Sequence, residues 1–293
     1  MNTRSSRGAA KSSGRRARKA ASRARRTKFD ASEYVRIVPL YAGKPSMTLR
    51  DLVRGDRGDP FEGLLAPVVR SAKLTYRGGA LLESVEVFAI FWGKQWAASP
   101  SAKTLIAKIN QFFADILGSA LIDQLAEYNV SGKKIGHGRF TGSKVIAANA
   151  PTSSVSDSQI RTRLAQWIRG AIVPKNNKNS LYYVYLDPAI VSVMGGSKSC
   201  QNYCGYHNNV GTVYYAVMPY PGCTGCLGSV SAIDALTATS SHELCEAITD
   251  PVPGQGWYDD TNGEIGDICA WTFKRVLGWN VQLEWSNAQN KCV

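Results

Sequence analysis

Cysteine is missing from the first 199 residues of this 293-residue chain, acid from the first 29, and histidine from all but three positions. The acid-free segment carries eleven lysines and arginines, so it holds most of the formal net charge of +13 and leaves about +2 for the remainder. A nearly neutral body has no electrostatic footprint for a phosphate backbone, which argues against nucleic-acid binding by the folded part. The tail, rich in Arg, Ser, Ala and Gly, has too few apolar groups to offset the entropy of ordering and reads as disordered over residues 1–29. A solvated tail, a nucleic-acid contact, an Arg-rich transit peptide and a pro-segment ending near Arg23-Ala24-Arg25-Arg26 all fit its composition. It lacks the interleaved aromatics of a single-strand stacking platform.

Long apolar runs are absent too. Nothing in the first sixty residues resembles the apolar core of a secretory signal, and Val87–Trp92 is far too short to cross a bilayer. No membrane span is expected. There is no Walker-type phosphate loop, no dinucleotide fingerprint after a strand and no internal repeat, which removes the common nucleotide-binding classes. Ser240 and Ser241 precede His242 directly, but adjacency on a helix does not make a nucleophile–base pair.

What is present is a globular composition, 44% hydrophobic and 10% aromatic, sufficient for one sizeable core. Residues 30–71 are an irregular lead-in broken by Gly and Pro, and a single domain is expected over 72–293. Val85–Trp92 reads as a buried strand. Apolar positions at Leu105, Ile106, Ile109, Phe112, Phe113, Ile116 and Leu117 predict an amphipathic helix within 101–128, broken near Gly118. Further strands are predicted at 144–148, 181–186, 212–218 and 281–285, and further helices at 156–172 and 231–249, the former started by Ser156 and Asp157. Alternating strands and helices indicate α/β or α+β around one mixed sheet flanked by helices.

All seven cysteines fall in the last third: Cys200, Cys204, Cys223, Cys226, Cys245, Cys269 and Cys292. The spacings Cys200-x3-Cys204 and Cys223-x2-Cys226 suit a four-thiolate zinc site. They equally suit disulfides that staple a loop-rich C-terminal part in an oxidising compartment. Disulfides are favoured because Cys269 and Cys292 also suit a pair. Cys245 is then the odd thiol, read as a small buried hydrophobe.

The chemistry gathers on the helix at 231–249. His242 and Glu246 stand four residues apart and project from one face, and Pro251 ends the helix. This is the His-Glu-x-x-His zinc pattern with the second histidine replaced by an oxygen ligand. Glu243 takes the place of the general base that holds the metal-bound water. Glu264, eighteen positions after Glu246, is the candidate third ligand, with Asp267 and Asp250 as fallbacks. Zinc is the metal this set suits; Asp260-x-Asn262-Gly263-Glu264 partly matches a calcium loop, which makes calcium the weaker alternative. His207 is either a hydrogen-bonded structural residue, an extra ligand or a group polarising a carbonyl. His137, between two glycines, reads as a loop residue with no partner. Tyr258 is either an oxyanion donor or a packed aromatic beside Trp257.

Six segments together carry a family likeness: Leu74–Gly79, Phe91-Trp92-Gly93, Cys204–His207, Tyr215–Pro219, Ser241–Pro251 and Asn262–Cys269. Through them the chain resembles the phosphate-induced, EXORDIUM-like family from about residue 72 to its end. Arg77 and Cys245 depart from the pattern, standing where His and a small residue are expected. The resemblance implies a zincin-like domain in an extracellular protein acting at a cell wall or surface. The motif points to a metal-dependent hydrolase, most simply a zinc peptidase acting on a peptide or cell-wall substrate; the family likeness also admits a non-catalytic relative.

Overall fold

The computed structural model describes Met1 and residues 37–40, 72–188 and 190–293. The tail at 1–29, and all of the lead-in but 37–40, lie outside the described residues. Its centre is a six-stranded mixed sheet of β1 (Val38–Pro39), β2 (Glu86–Trp92), β3 (Arg139–Ile146), β4 (Ser180–Leu186), β5 (Tyr203–Val210) and β6 (Val213–Met218). The order across the sheet is β1-β5-β6-β4-β2-β3. β6, β4, β2 and β3 run parallel, whereas β5 pairs antiparallel to β6 and to β1.

Successive side chains of a strand point to opposite faces, so the apolar runs of the central strands feed two cores. Val87, Ala89 and Phe91 of β2, Tyr183 and Tyr185 of β4, and Ala216 and Met218 of β6 face one side. They pack on helix α1 (Pro100–Ile116) through Ile109, Phe112, Phe113 and Ile116. Phe88, Ile90 and Trp92, with Tyr182, Val184 and Leu186, face the other side and meet Ile160, Leu164 and Trp167 of α2 (Asp157–Arg169). The helix starts are chemical: Ser99 caps α1 ahead of Pro100, and Ser156 with Gln159 forms a capping box on α2.

The third long helix, α3 (Ala232–Thr249), starts at Ser231 and shares the core of α1. The sequence shows an apolar stripe of Ile233, Leu236, Leu244 and Ile248, but Ala235 to Thr249 are buried all round. Its neighbours are β5, β6 and a hairpin of β7 (Phe273–Val276) and β8 (Trp279–Gln282). A helix buried on every side must satisfy its polar side chains internally. Ser241 Oγ donates to Ala238 O and Thr249 Oγ1 to Cys245 O, both at 2.8 Å. Ser240 meets the hydroxyls of Tyr183 and Tyr185 from the sheet. Gly205 of β5 allows close approach, since a Cβ there would strike Thr239 of α3.

The expected mixed sheet flanked by helices is the observed class. Its boundaries differ where burial is one-sided. β3 begins at Arg139 rather than 144, because this edge strand is polar and half-exposed along most of its length. β5, with Gly205, His207, Asn208 and Asn209, lacks the apolar alternation that marks a strand and was not expected. Val38–Pro39, inside the expected irregular lead-in, pairs with Gly205 and Tyr203 at the sheet edge. Among the described residues, no single helix is long and apolar enough to cross a membrane.

The cysteines resolve into Cys200–Cys223, Cys204–Cys226 and Cys269–Cys292, with Cys245 free and buried. The thiolate alternative for the first four is therefore set aside. Cys269–Cys292 ties the loop after α3 to the C-terminus across 23 residues, a closure worth about 3 kcal/mol in chain entropy. Thiol titration should find one reactive group per chain after unfolding and none in the native state. Cys292→Ser should lower stability by about that amount in a denaturant titration.

Candidate metal centre

Three stretches of chain deliver ionisable side chains to one place beneath α3. The helix supplies His242, Glu243 and Glu246, on the face turned away from the α1 core. β5 supplies His207, whose register opposite Ala216 puts it on the helix side of the sheet. The loop after α3 supplies Glu264 and Asp267. His207, His242, Glu243, Glu246 and Glu264 are all at most 1% exposed; only Asp267 is partly open to solvent.

The contacts are close and incompletely satisfied. His207 Nδ1 lies 3.1 Å from Glu243 Oε2 and 3.4 Å from Glu246 Oε2; Nε2 lies 3.2 Å from the Asp250 carbonyl and 3.4 Å from Glu264 Oε1. His242 Nε2 approaches Glu246 Oε1 at 3.0 Å, but without hydrogen-bond alignment. Neither ring nitrogen of His242, neither oxygen of Glu264, nor Glu246 Oε2 or Glu243 Oε1 has a hydrogen-bond partner. Orphaned atoms in a dry interior are costly. Side chains that converge to 3.0–3.4 Å without bonding one another stand as ligands of one ion do, since bonds of ~2.0–2.1 Å set tetrahedral ligand atoms ~3.3–3.4 Å apart. The residues therefore fit a metal. Within this cluster two groups meet the spacing requirement: His207 with Glu246 and Glu264, and His242 with Glu246 and Asp267.

The electrostatics follow from burial and crowding. Burial opposes charge on both imidazoles, yet the carboxylates facing them raise both pKa values well above the ordinary range: Glu264 and then Glu243 and Glu246 for His207, Glu246 and then Glu243 for His242. Burial also works against ionising Glu246, but His242 and His207 hold it down at about 2. Glu243 and Glu264 are pushed up, chiefly by burial.

The expected ligand set is thus redistributed. His242, Glu246 and Glu264 do converge, but Glu246 lies between two groups, and His207 joins Glu264 while Asp267 joins His242. Asp250 is in neither group. Its carboxylate accepts the backbone N–H groups of Gly254, Gln255 and Gly256, which folds the reversal after the helix, and burial raises its pKa to about 6. Tyr258 packs under the Arg77 guanidinium at 4.5 Å and pairs with Thr75, fastening the loop's far side. The calcium-like turn does not assemble: Asp260 turns outward to Arg77 at 2.6 Å, 88% exposed, while Glu264 turns inward. His137 pairs with Asp123 on the surface.

Two supporting groups carry no sequence signal. Gln282 of β8 receives nothing from motif reasoning, yet its Nε2 donates to Gly266 O and its N–H to Ser241 Oγ, clamping the loop on the helix. Glu284, fully buried with both oxygens unpartnered, has its pKa driven well up by burial and feels His242. It lies in a short Leu-Glu-Trp stretch that no motif marks.

No family model and no curated protein matches this chain, so its reading rests on this geometry. One position tests it directly. Gly266 lies over the His242 ring, where a Cβ would come 2.8 Å from Nδ1 and 3.0 Å from Glu246 Oε1. Gly266→Ala, acceptable to the backbone at φ −80°, should therefore weaken metal binding about 10–100-fold, as displaced ligand supports do. Unchanged affinity in a competition assay with a chelator would contradict the geometry.

Proposed function

We propose that the chain is an extracellular metalloprotein whose centre, built on the His-Glu-x-x-Glu helix, takes zinc. The observation that carries this reading is the convergence of His207, His242, Glu246, Glu264 and Asp267, with both nitrogens of His242, both oxygens of Glu264 and Glu246 Oε2 buried without a hydrogen-bond partner. Three disulfides are consistent with an oxidising, extracellular setting. The EXORDIUM-like resemblance points the same way, toward a protein acting at a wall or surface. Bound zinc would supply charge for the carboxylates and, in a hydrolase, a Lewis acid for water. In the closed arrangement, with every inner residue at most 1% exposed, an ion fits and a peptide does not. A non-catalytic role, with the ion tying α3 to its following loop, suits that closure.

A second reading, a metal-dependent peptidase, is favoured by Glu243. It follows the histidine as the base does in zinc hydrolases, its Oε1 is unpartnered, and burial first of all raises its pKa, which brings a carboxylate toward the range useful for moving a proton near neutral pH. In that reading Glu243 would accept the proton of the attacking water.

Elemental analysis of the full chain, folded under oxidising conditions, should find zinc, and chelation should lower its thermal midpoint; at zinc a thousandfold above Kd the stabilisation is about 4 kcal/mol. His242→Ala should lower the zinc content. A metal-free wild-type chain with no chelator effect would overturn the proposal. Glu243→Gln should keep its zinc; against a broad peptide library it separates the readings, since a peptidase would lose about 100- to 10,000-fold in rate, whereas a wild type that cleaves nothing is the non-catalytic protein.

Proton release gives an independent check. Because the carboxylates facing them raise both imidazole pKa values, the metal-free rings hold their protons to higher pH than a free imidazole does, and a ligating ring must lose its proton. Zinc uptake should therefore release protons, and apparent affinity should rise with pH until the folded-state pKa values are passed. Calorimetry in buffers of different ionisation enthalpy reads this; enthalpies independent of buffer would contradict it.

A further inference from the structure

Glu246 belongs to both ligand groups, and its two oxygens divide between them. Oε1 faces His242 Nε2 at 3.0 Å and accepts the Asp267 backbone N–H at 3.2 Å. Oε2 faces His207 Nδ1 at 3.4 Å. We propose that the cluster is a dinuclear centre, one divalent ion held by His207, Glu246 and Glu264 and a second by His242, Glu246 and Asp267, with the Glu246 carboxylate bridging them. This rests on the metal-centre reading and adds the second ion.

Three observations carry it. Unpartnered, fully buried atoms lie on both sides of Glu246: both nitrogens of His242 on one, both oxygens of Glu264 on the other. An ion in either group satisfies only its own side. Charge gives the second argument. Asp250 is occupied by backbone N–H groups, and Glu284, beside Cys245, belongs to neither ligand group. That leaves Glu243, Glu246, Glu264 and Asp267, four carboxylates around two histidines. One divalent ion leaves two negative charges uncompensated in or near a dry interior, whereas two ions match all four with the imidazoles neutral. Third, the backbone is shaped to present Asp267. Its Oδ2 accepts the Glu264 N–H at 2.9 Å, and Gly263, at φ +94°, leaves the space that a Cβ would take from that carboxylate.

Each ion would have one imidazole and two carboxylates, a set suited to zinc and manganese(II). Asp267 is the partly exposed ligand, so the His242–Asp267 ion is the one nearer to solvent and the first to exchange.

The test uses the full, disulfide-bonded chain, stripped with chelator, reloaded with zinc or manganese(II) and freed of excess ion. Two equivalents of zinc per chain are expected in the wild type and one in Asp267→Asn, a change at a half-buried position whose circular dichroism should match that of the wild type. With manganese(II), electron paramagnetic resonance should show a spin-coupled pair. One equivalent in the wild type overturns the dinuclear centre but leaves the single-metal reading standing. So do two equivalents with only an isolated-ion spectrum, or two retained in Asp267→Asn. No metal at all overturns both readings.

Discussion

A carboxylate or imidazolium moved from water into a protein interior costs several kcal/mol, and whole domains are stable by only about 5–15 kcal/mol. This interior holds His207, His242, Glu243, Glu246 and Glu264 together, each at most 1% exposed. Their mutual attraction offsets part of that cost, as the depressed pKa of Glu246 and the raised pKa values of both histidines show. It cannot complete the account, because carboxylates outnumber imidazoles and several of their atoms bond to nothing. An interior of this kind could hold a metal ion, and the proposed centre would draw the missing positive charge from it.

The architecture around the cluster serves that constraint. α3 is buried on every side, so the hydroxyls of Ser240, Ser241 and Thr249 are satisfied within the helix, by the sheet tyrosines or by the β8 backbone. β5 runs antiparallel at the margin of an otherwise parallel set and carries His207 beneath the helix. The loop after α3 is fixed at its start by the Asp250 carboxylate, over the helix by Gln282 and near its end by the Cys269–Cys292 bridge. Positions so thoroughly held are what a metal site needs, since ligands set loosely lose affinity.

Much of this was legible in the residue order. The buried strands at 86–92 and 180–186 announce themselves by unbroken apolar runs, and α1 and α2 by three-four spacing with capping residues. His242, Glu243 and Glu246 were readable because a helix fixes the geometry of i and i+4. β5 was hidden, because a strand that delivers a histidine and two asparagines has no apolar alternation to show. The partition of ligands was hidden for a different reason. Whether Glu264 or Asp267 meets His242 depends on how the 250–267 loop turns, and the Asp250 carboxylate shapes that turn by binding the N–H groups of Gly254, Gln255 and Gly256, a contact that spacing does not show. Gln282 and Glu284 act across long sequence separations, where spacing says nothing.

The account stands on an ion at Glu246. Anomalous diffraction from crystals of the zinc-loaded full chain, collected on both sides of the zinc absorption edge, locates it without reference to activity. Anomalous density beside the Glu246 carboxylate, within bonding distance of an imidazole nitrogen of His207 or His242, is the result expected. Crystals without such a peak, in which both histidines bond only to the surrounding carboxylates, would contradict the account.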